Sequence, residues 1–152
     1  MDRIVKLGAG GIAIVAAAVV AIGCARALPG TYLGEAIESG TLKLAVPETG
    51  QTATNERPPK ALPKVTVTVT KRGEGVGVRF GACDLEGKPS GAERVVLSGD
   101  CPVTFAGFEG PMAISGTASL VGDAIELSLS GLAKNPTTVA TYTYSYKGAR
   151  QD

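Results

Sequence analysis

Val65-Thr66-Val67-Thr68-Val69-Thr70 decides the fold. Branched apolar side chains alternate with hydroxyls, and successive side chains of an extended chain point to opposite faces. One face of this segment is therefore oily and the other wettable, as a half-buried strand requires. The same period of two recurs downstream. Val76, Val78 and Phe80 alternate with Gly77 and Arg79, and Met112, Ile114, Gly116, Ala118 and Leu120 alternate with Ala113, Ser115, Thr117 and Ser119. Ile125, Leu127 and Leu129 alternate with Glu126 and Ser128, and Tyr142, Tyr144 and Tyr146 with Thr143 and Ser145. Weaker strands are expected over 31–37, 41–46, 93–98 and 102–108, which gives about nine in all. No segment after the first thirty residues carries a convincing helical period.

The punctuation is that of hairpins. Arg72-Gly73-Glu74-Gly75 and the two-residue Gly122-Asp123 suit tight turns, and Glu38-Ser39-Gly40 and Glu109-Gly110-Pro111 are expected to turn as well. Consecutive hairpins make an antiparallel meander. The expected class is therefore all-β: eight or nine strands closed into a small barrel, with a β-sandwich as the alternative. Closure is preferred because it removes exposed strand edges. Pro47 to Pro63, with four prolines and no period, is expected to form a flexible loop over 47–63.

The N-terminus differs in kind. Asp2, Arg3, Lys6 and the terminal amine give a positive start, and Leu7 to Ala25 is a 19-residue run without a charge. This is the pattern of an export leader. Val20-Ala21-Ile22-Gly23-Cys24 resembles the lipobox of bacterial lipoproteins, with Ala21 where leucine is commonest in that family. The resemblance implies a signal peptide over 1–23, lipidation of Cys24, a short tether over 24–30 and a β domain over 31–152. Ala25 stands where aspartate retains such proteins at the inner membrane, so the implied site is the outer membrane of the bacterial envelope. Two rivals stay open. Ala25-Arg26-Ala27 suits cleavage after Ala27 and release to the periplasm or medium. An uncleaved helix would also reach roughly 28 Å, enough to anchor the chain in a bilayer.

Losing residues 1–23 removes Arg3, Lys6 and Asp2 and takes the net charge from +1 to zero. A neutral chain is not built to grip nucleic acid. Of three cysteines, Cys24 is taken by the leader, and Cys83 and Cys101 remain. In an oxidising compartment their default is a disulfide. If a hairpin turned near Lys88-Pro89, residue 83 would face about residue 94. The bond therefore requires 84–100 to be an excursion that returns Cys101 beside Cys83.

The chain has no histidine. Triads that need an imidazole, and His-ligated zinc, are out of reach. The carboxylates fall mostly in turns, Gly73–Gly77 lacks the helix that makes a glycine loop bind phosphate, and no cofactor is expected. Gly30-Thr31-Tyr32-Leu33-Gly34 resembles the opening of lipocalin-like (calycin) barrels, with Tyr32 in the place of the usual tryptophan. That resemblance implies an aromatic plug at one barrel end, beneath an arginine for which Arg150 is placed, and a mouth at the other end for a small apolar ligand. Small inward residues such as Gly116 and Ala118 either leave a cavity or let the walls close up. Tyr142, Tyr144 and Tyr146 are packed in the core or form a candidate interaction face. The expected role is a non-catalytic interaction or structural module, held at the membrane by its lipid and meeting another envelope protein. The alternative is a carrier of a small apolar ligand.

Overall fold

A computed structural model of the protein describes residues 27–152. The expected leader and anchor helix over 1–23, and Cys24 itself, lie outside the described residues. The rest forms eight strands: β1 Gly30–Val46, β2 Gln51–Arg72, β3 Gly75–Phe80, β4 Cys83–Pro89, β5 Arg94–Phe105, β6 Phe108–Val121, β7 Ala124–Lys134 and β8 Thr138–Arg150. They pair in chain order, and β8 returns antiparallel to β1 from Tyr32↔Arg150 to Leu44↔Thr138. The result is the closed barrel and not the β-sandwich alternative.

The Val65–Thr70 stretch behaves as its pattern dictates. Val67 and Val69 are buried in the lumen, and Thr66 and Thr70 are exposed. Much of the wall follows suit, although Leu33, Ile37, Val96 and Leu132 are exposed on it. Ser98, Ser115, Ser130, Thr143 and Ser39 are cross-strand partners in one outward row spanning five strands. An apolar lumen inside a hydroxyl-rich wall is the reverse of a membrane-spanning barrel, which turns its apolar side outward.

Three expectations are corrected. The loop over 47–63 is instead a four-residue turn, 47–50, followed by the first half of β2. Its period was hidden by two bulges. Gly34 faces Val65 but Ala36 faces Leu62, and Glu38 faces Lys60 but Gly40 faces Arg57. Each bulge adds one residue to β2, at Pro63-Lys64 and at Pro58-Pro59, and so flips the phase of everything before it. Lys64 has a φ of 58°. The prolines are tolerated because a bulge frees a residue from the ladder, and because β2 pairs with β3 only over Thr68–Arg72, leaving its other edge open.

The strand count also changes. The expected strands 31–37 and 41–46 are one continuous β1, so Glu38-Ser39-Gly40 does not turn. Gly40 stands in the strand where a Cβ would strike the Phe105 ring. Likewise 93–98 runs on into β5, and the turn after it is not Glu109-Gly110-Pro111 but Ala106-Gly107, with φ of 49° and 88°. Two positive φ values define a primed turn, whose twist matches the flanking strands, but alanine gives no signal for it.

The disulfide forms, and the topology inferred from it was wrong. Cys83 and Cys101 are bonded, with Cα atoms 4.8 Å apart. Residues 84–100 are no excursion. A tight turn at Gly81-Ala82 separates β3 from β4, and β4 and β5 are a plain hairpin with Glu86 facing Ser98 and Pro89 facing Val95. Carried three residues further, that register sets Cys83 opposite Cys101.

The barrel has two unlike ends. One carries the turns at 73–74, 90–93 and 122–123 and both chain ends of the barrel, with the Arg150 amide donating to the Asp123 carbonyl. The other carries the turns at 47–50, 81–82, 106–107 and 135–137. Between them, buried side chains fill the lumen nearest the chain ends, Val76, Val95, Leu97, Ala118 and Ile125 among them. The small residues close the walls up there: a Cβ on Gly116 would collide with the Ser128 carbonyl of β7.

Candidate functional site

The end that holds the chain termini is plugged. Leu28 and Tyr32 are both wholly buried. The Tyr32 hydroxyl donates to the Leu28 carbonyl at 2.8 Å, and Arg150 lies over the ring, 5.2 Å from its centre. Arg150 also donates to the Tyr32 oxygen at 2.9 Å, to the Pro29 carbonyl at 2.8 Å and to the Ala27 carbonyl. Burial raises the Tyr32 pKa against the opposing pull of Arg150. The plug expected of Tyr32 and Arg150 is thus present in geometry.

The opposite end holds a cavity of about 310 Å³. Seven strands contribute to its lining, with Leu62, Val65, Phe80, Val103, Ile114, Tyr142, Tyr144 and the Cys83–Cys101 bond among its walls. It exists because two ladders stop short. The β2–β3 ladder goes no further than Thr68↔Arg79, and the β4–β5 ladder no further than Glu86↔Ser98. Beyond those points the wall between β2 and β5 is spanned by the turn at Gly81-Ala82 and the disulfide, so the lumen widens.

The tyrosine ladder lines this region from inside. Tyr144 and Tyr146 are 4% and 3% exposed, and Tyr142 is half-buried. They do not form a face on the outer wall, and packing in the core is what the structure shows. Tyr144 stacks on Phe80 with centroids 4.7 Å apart, and Tyr142 lies 5.8 Å from Phe105. The Tyr146 hydroxyl donates to the Val65 carbonyl at 3.3 Å. Burial, first of all, raises the pKa of all three; Tyr146 is pushed up to about 12, and Tyr142 and Tyr144 go further. The Tyr144 hydroxyl is buried and has no hydrogen-bond partner among the described residues.

One charged pair enters the lumen. Glu38 accepts from the Tyr142 hydroxyl at 3.0 Å and pairs with Arg57 at 2.6 Å, with side chains 15% and 25% exposed. Neither residue was singled out in the sequence. Glu38 falls in an expected turn and Arg57 in an expected loop; Glu38 faces inward in the unbroken alternation of β1, in phase with Ala36 and Leu42, and Arg57 pairs with Gly40 on the same face. Glu38 is the one carboxylate in the cavity wall, and it is already engaged. Among the described residues no group of three or more metal-ligating side chains converges.

A larger groove, about 750 Å³, crosses the outer wall over Thr117, Ser128, Ser145 and the Lys147–Glu126 pair. It is open, its lining mixes Ile37, Ala61, Leu62 and Pro63 with these hydroxyls and charges, and Tyr146 is the one aromatic residue that reaches it. The mouth cavity is the better-built site because it joins apolar walls to a few fixed polar groups.

Fold and site together define a class: a small closed antiparallel barrel, plugged at one end and hollow at the other. Comparison with family models, curated proteins and solved structures finds no match to this chain.

Proposed function

We propose that this protein is exported, anchored to the bacterial envelope through a lipid on Cys24, and carries a small apolar ligand in the mouth of its barrel. The cavity supports the carrier reading over the interaction module. An exposed tyrosine face would have favoured the interaction module, and the tyrosines are inside. A carrier needs a hollow with an apolar lining, and about 310 Å³ is at the lower end of the range for small-molecule sites. No part of this reading asks a side chain to do chemistry. The lipidation reading rests on the leader pattern and on the disulfide, which belongs to an oxidising compartment.

The test uses N-phenyl-1-naphthylamine, an uncharged apolar probe that brightens out of water. The wild-type protein is expected to enhance its emission saturably. Val103→Trp, which fills the cavity from β5, is expected to weaken binding at least about tenfold, the equivalent of 1.4 kcal/mol. Wild-type protein that leaves the probe dark, or a Val103→Trp variant that binds it unchanged while keeping its β circular-dichroism spectrum, sinks the carrier reading. Palmitate labelling tests the anchor: label should be lost in Cys24→Ala.

A further inference from the structure

We infer that the mature chain begins upstream of Ala27, at Cys24, and that the barrel stands with its plugged end on the membrane and its mouth turned away from it. The inference rests on the lipid-anchor reading and decides between the two cleavage sites that the sequence leaves open.

The plug carries the argument. Arg150 grips the backbone on both sides of Leu28, through the Ala27 and Pro29 carbonyls, and the Leu28 side chain is wholly buried beside Tyr32. Cleavage after Ala27 would remove one of the carbonyls that Arg150 holds. It would also create an α-ammonium on Leu28, close to the Arg150 guanidinium that donates to Pro29. A cation placed there meets a like charge. A cut before Cys24 leaves the whole latch intact.

The same latch sets the orientation. Three peptide units link Cys24 to Ala27, which allows a reach of at most about 11 Å. An acyl-bearing Cys24 therefore holds the plugged end close to the headgroups. The turn at 47–50 lies at the other end of the barrel, and thirteen-residue β8, tilted as strands in barrels are, puts it about 30 Å away; six-residue β3 sets the turn at 81–82 nearer, at most about 20 Å along the strand from 73–74. The cavity then opens to the aqueous side, and ligand enters from water or from a facing surface, not sideways from the bilayer in which the protein is anchored.

The chain has no tryptophan, so single tryptophans report cleanly. Glu74→Trp and Asp123→Trp mark the plugged end, and Glu48→Trp the mouth; all three positions are exposed turn residues. Each full-length protein, expressed with its own leader, is purified and placed in phosphatidylcholine vesicles containing a headgroup spin-labelled lipid. The mass of the N-terminal peptide is read on the same samples. The expected result is an acylated peptide starting at Cys24, with both plug-end tryptophans quenched several-fold more than Glu48→Trp. A peptide starting at Leu28 overturns the cleavage assignment and the lipid anchor with it. An acylated Cys24 with equal quenching at both ends overturns the orientation and leaves the anchor standing.

Discussion

Tyr144 shows how much one side chain can cost and decide. Its ring is stacked on Phe80 in the lumen, and its hydroxyl is buried without a partner. An unmet buried hydroxyl costs about 1–3 kcal/mol. Tyr144→Phe is therefore expected to stabilise the protein by about 1 kcal/mol, read as a raised urea midpoint at unchanged slope. A fall in stability would mean the hydroxyl is satisfied. The tyrosines also set the alkaline limit. All four have pKa values raised above 10 by burial, Tyr146 to about 12. The folded state then holds protons that the unfolded state releases. The stability this represents is complete below pH 10 and is lost as pH climbs from there through the folded values. Absorbance of tyrosinate in native protein should begin to rise only above the ordinary tyrosine range and then rise together with unfolding. A titration with a midpoint near 10 in folded protein would contradict the burial. That Tyr142, Tyr144 and Tyr146 share one face was legible from their spacing. Which side of the sheet they took was not, since an alternating strand has the same pattern in either orientation.

At the scale of elements, β2 and the β4–β5 hairpin are instructive. The Val65–Thr70 repeat was readable because no bulge interrupts it. The residues before it were not, because two proline-bearing bulges shift the phase twice within seven residues, and alternation is the only signal a strand gives. Glu38 and Arg57 fall in the turn expected at 38–40 and the loop expected at 47–63, so the most polar part of the site was not legible either. The β4–β5 hairpin is closed by Cys83–Cys101, with a separation of 18 residues. Removing both thiols as Cys83→Ala/Cys101→Ala is expected to cost about 3 kcal/mol in denaturant unfolding, because a loop of this length is released in the unfolded chain. The loss should fall on the mouth as well. The bond forms part of the cavity wall where the β4–β5 ladder has ended, so probe binding is expected to weaken along with stability. A double variant as stable as wild type would show that the ladder alone holds this corner.

The molecule as a whole is a ring of eight ladders. Side chains from all eight strands pack in one lumen, so unfolding should be a single cooperative transition by every probe. The plug is part of that unit. Leu28→Ala removes a wholly buried side chain and is expected to cost about 2–5 kcal/mol in the unfolding free energy. A cost near zero would show that residues before Gly30 merely lie on the barrel. Taken by itself, the sequence determined the all-β class, the antiparallel meander and the cysteine pairing, and the resemblance of Gly30–Gly34 implied the plug of Tyr32 beneath Arg150. Each depends on local alternation, on residue count or on a short motif, and these survive without knowing what lies across the sheet. Only the tertiary structure decided the strand count, the bulges, the inward turn of the tyrosines, the charged pair and the hollow at the mouth. Those depend on register and on where neighbouring ladders stop, and both are set by contacts between residues far apart in the chain.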